Sequence, residues 1–419
     1  MRKLRDVETA GRMMRRYYRL TRETLRSMAG YLPTMRRWTG KKLLARHIWL
    51  DAMHADMLRT RTLELRYPRV DADTDVDIGL IRVMEALPAA ESDEQFLAGV
   101  YEVVKPALLQ SLQTYLDGAD PLDDAPTFVF FGRIVAELQM ELAEYGRAAA
   151  EMGMTGREAC VDSWKGSVAE ALAACGGLDG PDQAVDGEAL PLLSRPAYTV
   201  PMEANRDPAW DSAVMQVSPR PPRSFVEEQI RAAIDHANEL WAAETPAALI
   251  WEYKNVPWQL QFDAARWCYD EMRHAMMGVD RLAALGLETG VDYPMVPDHW
   301  RAFRARGLRY LLLLLHKLEQ GGPLGKARLK AHFAENNDFA GAQDCDYDWA
   351  DESGHIAYGL DWLKVAFPDW SKQQMIEEEN AIVQEWVEWM QSRHREGTHG
   401  YDKFLERMDA KLEALSAQG

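Results

Sequence analysis

Asp270-Glu271-Met272-Arg273-His274 and Asp351-Glu352-Ser353-Gly354-His355 repeat one pattern, Asp-Glu-x-x-His, 81 residues apart. Each lies in a stretch of helical periodicity, 257–285 and 338–366. A Glu and a His three residues apart share one helix face, about one turn from each other. One rigid rod can therefore offer a carboxylate and an imidazole to the same ion. A single Glu-x-x-His arises easily by chance and would describe an exposed pair. Two copies, set among Phe262, Trp267 and Tyr269 or Trp349, Ile356 and Tyr358, read instead as inward faces of two helices.

A two-metal bundle needs one further Glu from each of two more helices. In an antiparallel hairpin, residues equally far from the turn lie level. The turn before the first motif falls near Tyr253–Pro257, with Pro257 placed like a first-turn proline. Its mirror point is near residue 238, where Glu239 precedes Glu271 by 32 residues. Before the second motif, Glu319 precedes Glu352 by 33. The matched intervals suit a site with approximate twofold symmetry.

This pattern resembles the ferritin-like di-iron carboxylate superfamily, in which four helices supply Glu, Glu-x-x-His, Glu and Glu-x-x-His to two irons. The resemblance covers about 225–366. The form at 270–274 is similar to bacterial multicomponent monooxygenases, and Asp351 to Gly359 to the tRNA-hydroxylase branch and its ferritin-like relatives. It implies Glu239, Glu271, His274, Glu319, Glu352 and His355 as ligands of two iron ions, with manganese as the alternative. Carboxylates balance the charge of such ions and imidazole suits either metal. Without metal, carboxylates at this density repel one another. Asp270 and Asp351, each four residues before a His, are placed to accept a hydrogen bond from the imidazole nitrogen that does not ligate, on the same helix or across the site.

Some positions depart from the pattern or compete with it. Glu244 shares an apolar stripe with Ala237, Leu240, Ala247 and Ile250 and rivals Glu239; Pro246 is expected to kink that helix. Gly354 stands where the monooxygenase form has Arg. Asp348 stands where arylamine N-oxygenases of the superfamily have an additional His, which argues against that activity. His236 and His316 read as ordinary bundle histidines, and Cys268 as core packing. The run Leu311–Leu315 predicts a helix that is apolar all round, hence buried.

Beyond these rods the fold class expected is all-α. Helices are predicted at 8–30, 41–66, 94–117, 126–153, 157–175, 225–253, 257–285, 298–320, 338–366 and 371–392. Residues 176–224 hold 8 of the 20 prolines and read as a connector. Three regions follow: an N-terminal helical region at 1–175, the connector at 176–224, and a metal-binding bundle with C-terminal helices at 225–419. The segment Gln139–Gly146 runs in phase with Glu352–Gly359, with Gln139 and Leu142 in place of Glu352 and His355. The first half then reads as a degenerate bundle without the site.

The 419 residues carry a net charge of −18, with 47% hydrophobic and 27% charged residues, a globular composition. Residues 1–46 hold 14 Lys or Arg against 3 acids and read as a solvated basic helix or an arm for an acidic surface. The acidic remainder disfavours nucleic acid. No apolar run is long enough to cross a membrane, no secretory h-region follows the N-terminus, and four irregularly spaced cysteines suggest neither disulfides nor zinc. A cytoplasmic protein, as a homodimer, is expected. What the resemblance implies is a non-haem di-iron oxidoreductase that uses dioxygen to oxidise or hydroxylate a small organic substrate, with a ferredoxin or reductase as electron donor. The alternatives are a ferroxidase or peroxide scavenger, and a non-catalytic helical protein whose metal is structural or absent.

Overall fold

The computed structural model describes every residue except 1–3, 66–76, 155–157, 181–182, 184–189 and 417–419. The expected helix limits at 66 and 157, and eight residues of the connector, lie outside the described residues. The described chain is all-helical, with a single isolated bridge between Thr289 and Tyr293. It forms two compact units, Met1–Val200 and Pro201–Gly419. The proline-rich stretch is divided at that boundary. Leu190, Leu192 and Val200 are buried in the first unit; Ala204, Ala213 and Met215 are buried in the second.

The N-terminal unit contains α1 (Val7–Tyr31), α2 (Trp38–Glu64), α3 (Ile78–Ala86), α4 (Asp93–Ala98), α5 (Lys105–Gly118), α6 (Ala125–Glu151) and α7 (Ala159–Ala174). Helix α1 starts at Asp6, whose side chain accepts from Thr9 N at 2.7 Å. It packs along α2, α2 packs on α6, and α5 also packs on α6. The predicted helix 94–117 is interrupted by a π-helical turn at Gly99–Val104. Pro106, which follows it, has no N–H to donate and its ring would crowd the carbonyl four residues back.

The basic segment is not a solvated arm. Arg16, Arg19, Arg22, Arg26 and Lys41 are buried inside this unit. Arg16 pairs with Asp77 and donates to the carbonyls of Cys175 at 2.7 Å and Gly177 at 2.9 Å. Lys41 Nζ donates to Leu32 O at 2.7 Å. Local acids and carbonyls at helix ends absorb the positive charge, so composition alone misjudged its exposure.

The C-terminal unit contains α8 (Phe225–Ala237), α9 (Leu240–Glu252), α10 (Trp258–Ala284), α11 (Asp298–Phe303), α12 (Leu308–Glu319), α13 (Gly322–Glu335), α14 (Phe339–Ala366), α15 (Lys372–Glu396) and α16 (Asp402–Ser416). Ser224 caps α8, accepting from Glu227 N at 3.3 Å, while Glu227 accepts from Arg223 N at 2.9 Å. The predicted helix 225–253 breaks at Asn238–Glu239, not at Pro246. Asn238 fixes the break: its amide donates to Ile234 O and Pro294 O, and its oxygen accepts from Val296 N. The predicted helix 298–320 breaks at Gly307, whose φ of 107° favours glycine. Leu311–Leu315 are all buried, as their apolar run requires. Helix α13 was not expected; Pro323 in its first turn starts it. Helix α10 packs on α8, α9 and α14, and α14 packs on α12 and α13. No helix among the described residues is long and apolar enough to cross a membrane.

Candidate metal centre

The break at Asn238 turns Glu239 toward α10, and the end of α12 leaves Glu319 facing α10 and α14. Donor atoms of Glu271, Glu319, Glu352 and His355, all buried, lie within 4.8 Å of one another. Glu239, Glu271 and His274 meet the same limit, as do His274, Asp348 and Glu352. The six residues expected as ligands therefore converge, and Glu271 belongs to both of the groups that contain a third-helix or first-helix Glu.

Glu244 is elsewhere. It is fully buried and held by Arg206, at 2.8 Å to Oε1 and 3.1 Å to Oε2. His316 is likewise committed: Nδ1 faces Glu379 Oε1 at 2.5 Å and Nε2 faces Ile356 O at 3.1 Å. Cys268 is buried one turn before Glu271.

The two motif aspartates act across the site. His274 Nε2 lies 3.2 Å from Asp351 Oδ2, on the opposite helix. His355 Nε2 lies 3.7 Å from Asp270 Oδ2, an ion-pair separation rather than a hydrogen bond. Arg273 donates to both aspartates, at 2.8 and 3.0 Å, and Arg266 donates to Asp270 at 2.6 Å. On the inner side, Trp267 Nε1 donates to Glu271 at 3.0 Å and reaches Glu319 at 3.3 Å, with its ring stacked on His355.

The polar accounting inside the cluster is incomplete. His274 Nδ1, His355 Nδ1, Glu239 Oε2 and Glu352 Oε2 are buried without a hydrogen-bond partner among the described residues. His355 Nδ1 is 2.9 Å from Glu271 Oε1, and His274 Nδ1 is 3.3 Å from Glu239 Oε2, but neither contact has hydrogen-bond geometry. Ring nitrogens and carboxylate oxygens facing a common space, with His274 Nε2 backed by Asp351 and His355 Nε2 3.7 Å from Asp270, fit a cation of the N/O-binding transition metals.

Ionisation of the protein groups tells the same story. Burial, and then the charge of Glu271, push the Glu319 carboxyl well above the usual range. Burial and Glu319 do the same to Glu352. Burial opposes ionisation of Glu271 as well, but the His355 and His274 rings outweigh it and hold that carboxyl low. The His355 ring is pushed up to about 9: burial works against this, and Glu271, Asp270 and Glu352 together outweigh it. The cluster thus retains protons where no metal supplies positive charge.

Three more residues stand on its rim: His236 and Asp348, whose part in binding the sequence left open, and Lys326, which was not expected. Lys326 on α13 reaches in, with Nζ 2.7 Å from His236 Nε2, 3.1 Å from Glu239 Oε1, and paired with Asp348. His236 Nε2 lies 2.7 Å from Asp348 Oδ2. The spacing 348, 352, 355 does place Asp348 on the ligand face of α14. A cleft of about 700 Å³ opens nearby, with Gln320, Ile356, Leu360, Phe367, Trp370 and Met375 in its walls. Gln320 and Ile356 follow Glu319 and His355 directly in sequence.

No family model, curated protein or solved structure matches the chain.

Proposed function

We propose that this protein is a cytoplasmic non-haem di-iron oxidoreductase, built on a ferritin-like bundle of α8–α9, α10, α12 and α14, that uses dioxygen to oxidise a small organic molecule. The observation that carries the reading is the meeting of four Glu and two His from four rods in a buried space, with an unpartnered nitrogen of each ring among the carboxylates. Bound there, a pair of irons, or manganese in their place, would supply the redox chemistry of oxygen activation.

The chain's own residues have separable tasks. Glu239 and His274 would hold one ion and Glu319, Glu352 and His355 the other, with Glu271 within reach of both groups. Asp351 would fix the tautomer and orientation of the His274 ring, and Asp270 places a negative charge 3.7 Å from His355 Nε2. Trp267 orients Glu271 and Glu319 by donating to both. Leu311–Leu315 keep the α12 side of the site dry. The apolar cleft beside α12 and α14 suits a small organic substrate rather than a bare ion, which favours oxidation of an organic molecule over ferroxidase or peroxide-scavenging activity. Electrons would come from a separate ferredoxin or reductase.

Lys326 favours a second arrangement, with one ion at Glu271, Glu319, Glu352 and His355 and the ammonium supplying the other positive charge. Diffraction at the iron and manganese edges separates the two. Two peaks about 3.5–4 Å apart support the paired site, and a single peak supports the lysine-assisted one. Protein grown with added iron that contains neither metal would defeat both and leave a non-catalytic protein. Oxygen uptake with iron alone, equal to that with candidate organic substrates, would favour a ferroxidase.

A further inference from the structure

The N-terminal unit holds a buried ionic cluster that shares its layout with the metal centre. Helices α2 and α10 are both 27 residues long and both begin with Trp. At a constant shift of 220 residues, Trp38 matches Trp258, Arg46 matches Arg266, Asp51 matches Glu271 and His54-Ala55 matches His274-Ala275. Between α6 and α14 a constant shift of 211 matches Glu137 with Asp348, Glu141 with Glu352 and Glu144 with His355. The expected register, two residues away, is corrected by burial: Gln139 is exposed, whereas Glu141 is fully buried.

The matched residues also meet in space. Donor atoms of Asp51, His54 and Glu141, all buried, lie within 4.8 Å of one another. His54 Nε2 is backed by Glu137 at 2.7 Å, as a ligating imidazole is backed by a carboxylate. His54 Nδ1 and Glu141 Oε1 face inward with no hydrogen-bond partner among the described residues. The difference is the helix that packs on α6. It contributes Lys105, 1% exposed, whose Nζ lies 2.8 and 2.7 Å from the two Asp51 oxygens and also pairs with Glu141.

We propose that Asp51, His54 and Glu141 form a transition-metal site held shut by the Lys105 ammonium, which stands in for the ion. Removing that charge opens the site to one divalent cation of the class that prefers mixed imidazole and carboxylate ligands, such as cobalt, manganese, iron or zinc. Ligation needs the neutral imidazole, so the exchange balances in charge when the ammonium and one proton of the His54 ring leave and one dication enters. Without either cation the buried carboxylates would be uncompensated, so the open site and the stability of the unit are coupled.

The test is metal content and cobalt(II) absorption of the full chain, parent against Lys105→Ala, after equilibration with cobalt and removal of the excess. The expected result is one more ion per chain in the variant, a new visible absorption band, and a larger rise in Tm on adding cobalt than the parent shows. His54→Ala added to Lys105→Ala abolishes all three increments. The increment is counted above whatever the C-terminal cluster binds, so it is independent of the di-iron reading. If Lys105→Ala is insoluble without metal, recovery of soluble protein with cobalt, manganese or zinc in the medium is the expected outcome, and Lys105→Gln provides a second uncharged variant. A soluble variant with the parent's metal content, or two variants that none of these metals recovers, overturns the proposal.

Discussion

His274 on α10 and Asp351 on α14 face each other across the helix interface, with Nε2 and Oδ2 3.2 Å apart. The contact leaves Nδ1 of the ring directed into the carboxylate cluster. Asp351 is itself partly neutralised by Arg273 at 3.0 Å, so it accepts without becoming an isolated buried charge. Asp351→Asn keeps the shape but no longer enforces the tautomer or raises the basicity of the ring. Metal affinity should fall about 10- to 100-fold, measured by competition with a chelator of known strength. An unchanged affinity would show that Asp351 serves only the surface arginines.

Glu239 and Glu244 make opposite predictions although they are five residues apart. Glu244 and Arg206 form a buried bidentate pair, so Glu244→Ala strands a guanidinium and should cost about 3–5 kcal/mol. Glu239 lies at a helix break, and its side chain is 21% exposed. Glu239→Ala should leave stability within about 1 kcal/mol while lowering metal uptake. Denaturant unfolding and metal analysis of the two variants together decide the assignment.

That pair also shows what could be read from the chain and what could not. Mirror spacing about two turns was enough to place Glu239 and Glu319 beside the two motifs, because hairpin geometry is local. Rejecting Glu244 required Arg206, 38 residues away in an irregular segment whose course no periodicity encodes. Lys326 escaped notice because α13 is mostly exposed: only Phe333 is buried, and the apolar signal of such a helix is weak. Asp51-x-x-His54 has the same spacing as Glu271-x-x-His274 and was legible, but a search for Glu passed over it. The internal echo was found at a register that put an exposed Gln139 where a buried acid belongs. The buried arginines of α1 reversed a reading based on net charge, which reports partners but not depth.

Gly278 marks the closest approach of α10 to α8. A Cβ there would lie 2.3 Å from Ala237 N and 2.5 Å from Ala233 O, both backbone atoms that cannot turn aside. Gly278→Ala should therefore push α8 outward and destabilise the C-terminal unit by about 1–3 kcal/mol or more. His236, at the end of α8, and Glu239, just after it, would move with it, so metal uptake should fall too. Gly146 in α6 is the control: a Cβ there meets nothing within 4 Å. Gly146→Ala should stabilise by up to about 1 kcal/mol through helix propensity. Equal Tm values for the two variants would remove the packing argument.

The protonation pattern of the carboxylate–histidine cluster gives the protein's stability a definite slope with pH. In the folded protein Glu319 and Glu352 are raised, mainly by burial, and His274 and His355 are raised by the carboxylates that overcome their burial, His355 to about 9. A group raised on folding binds more protons in the native state, so its contribution is full below its ordinary pKa and is lost as pH rises through the folded value. For the two glutamates the loss begins near 4.5, and for the two histidines near 6.5. Glu271 is held low, so its opposite contribution is already complete by 4.5 and does not offset the others. Metal-free protein should therefore lose stability steadily from pH 5 to 9. Metal loading replaces the retained protons, releases them to solvent, and abolishes the part of the slope that belongs to this cluster. Urea unfolding across that range, with and without bound metal and followed by hydrogen exchange in α10 and α14, reads the difference directly. Parallel curves for the two forms, with no protons released on loading, would mean that the carboxylates and imidazoles do not hold the ion.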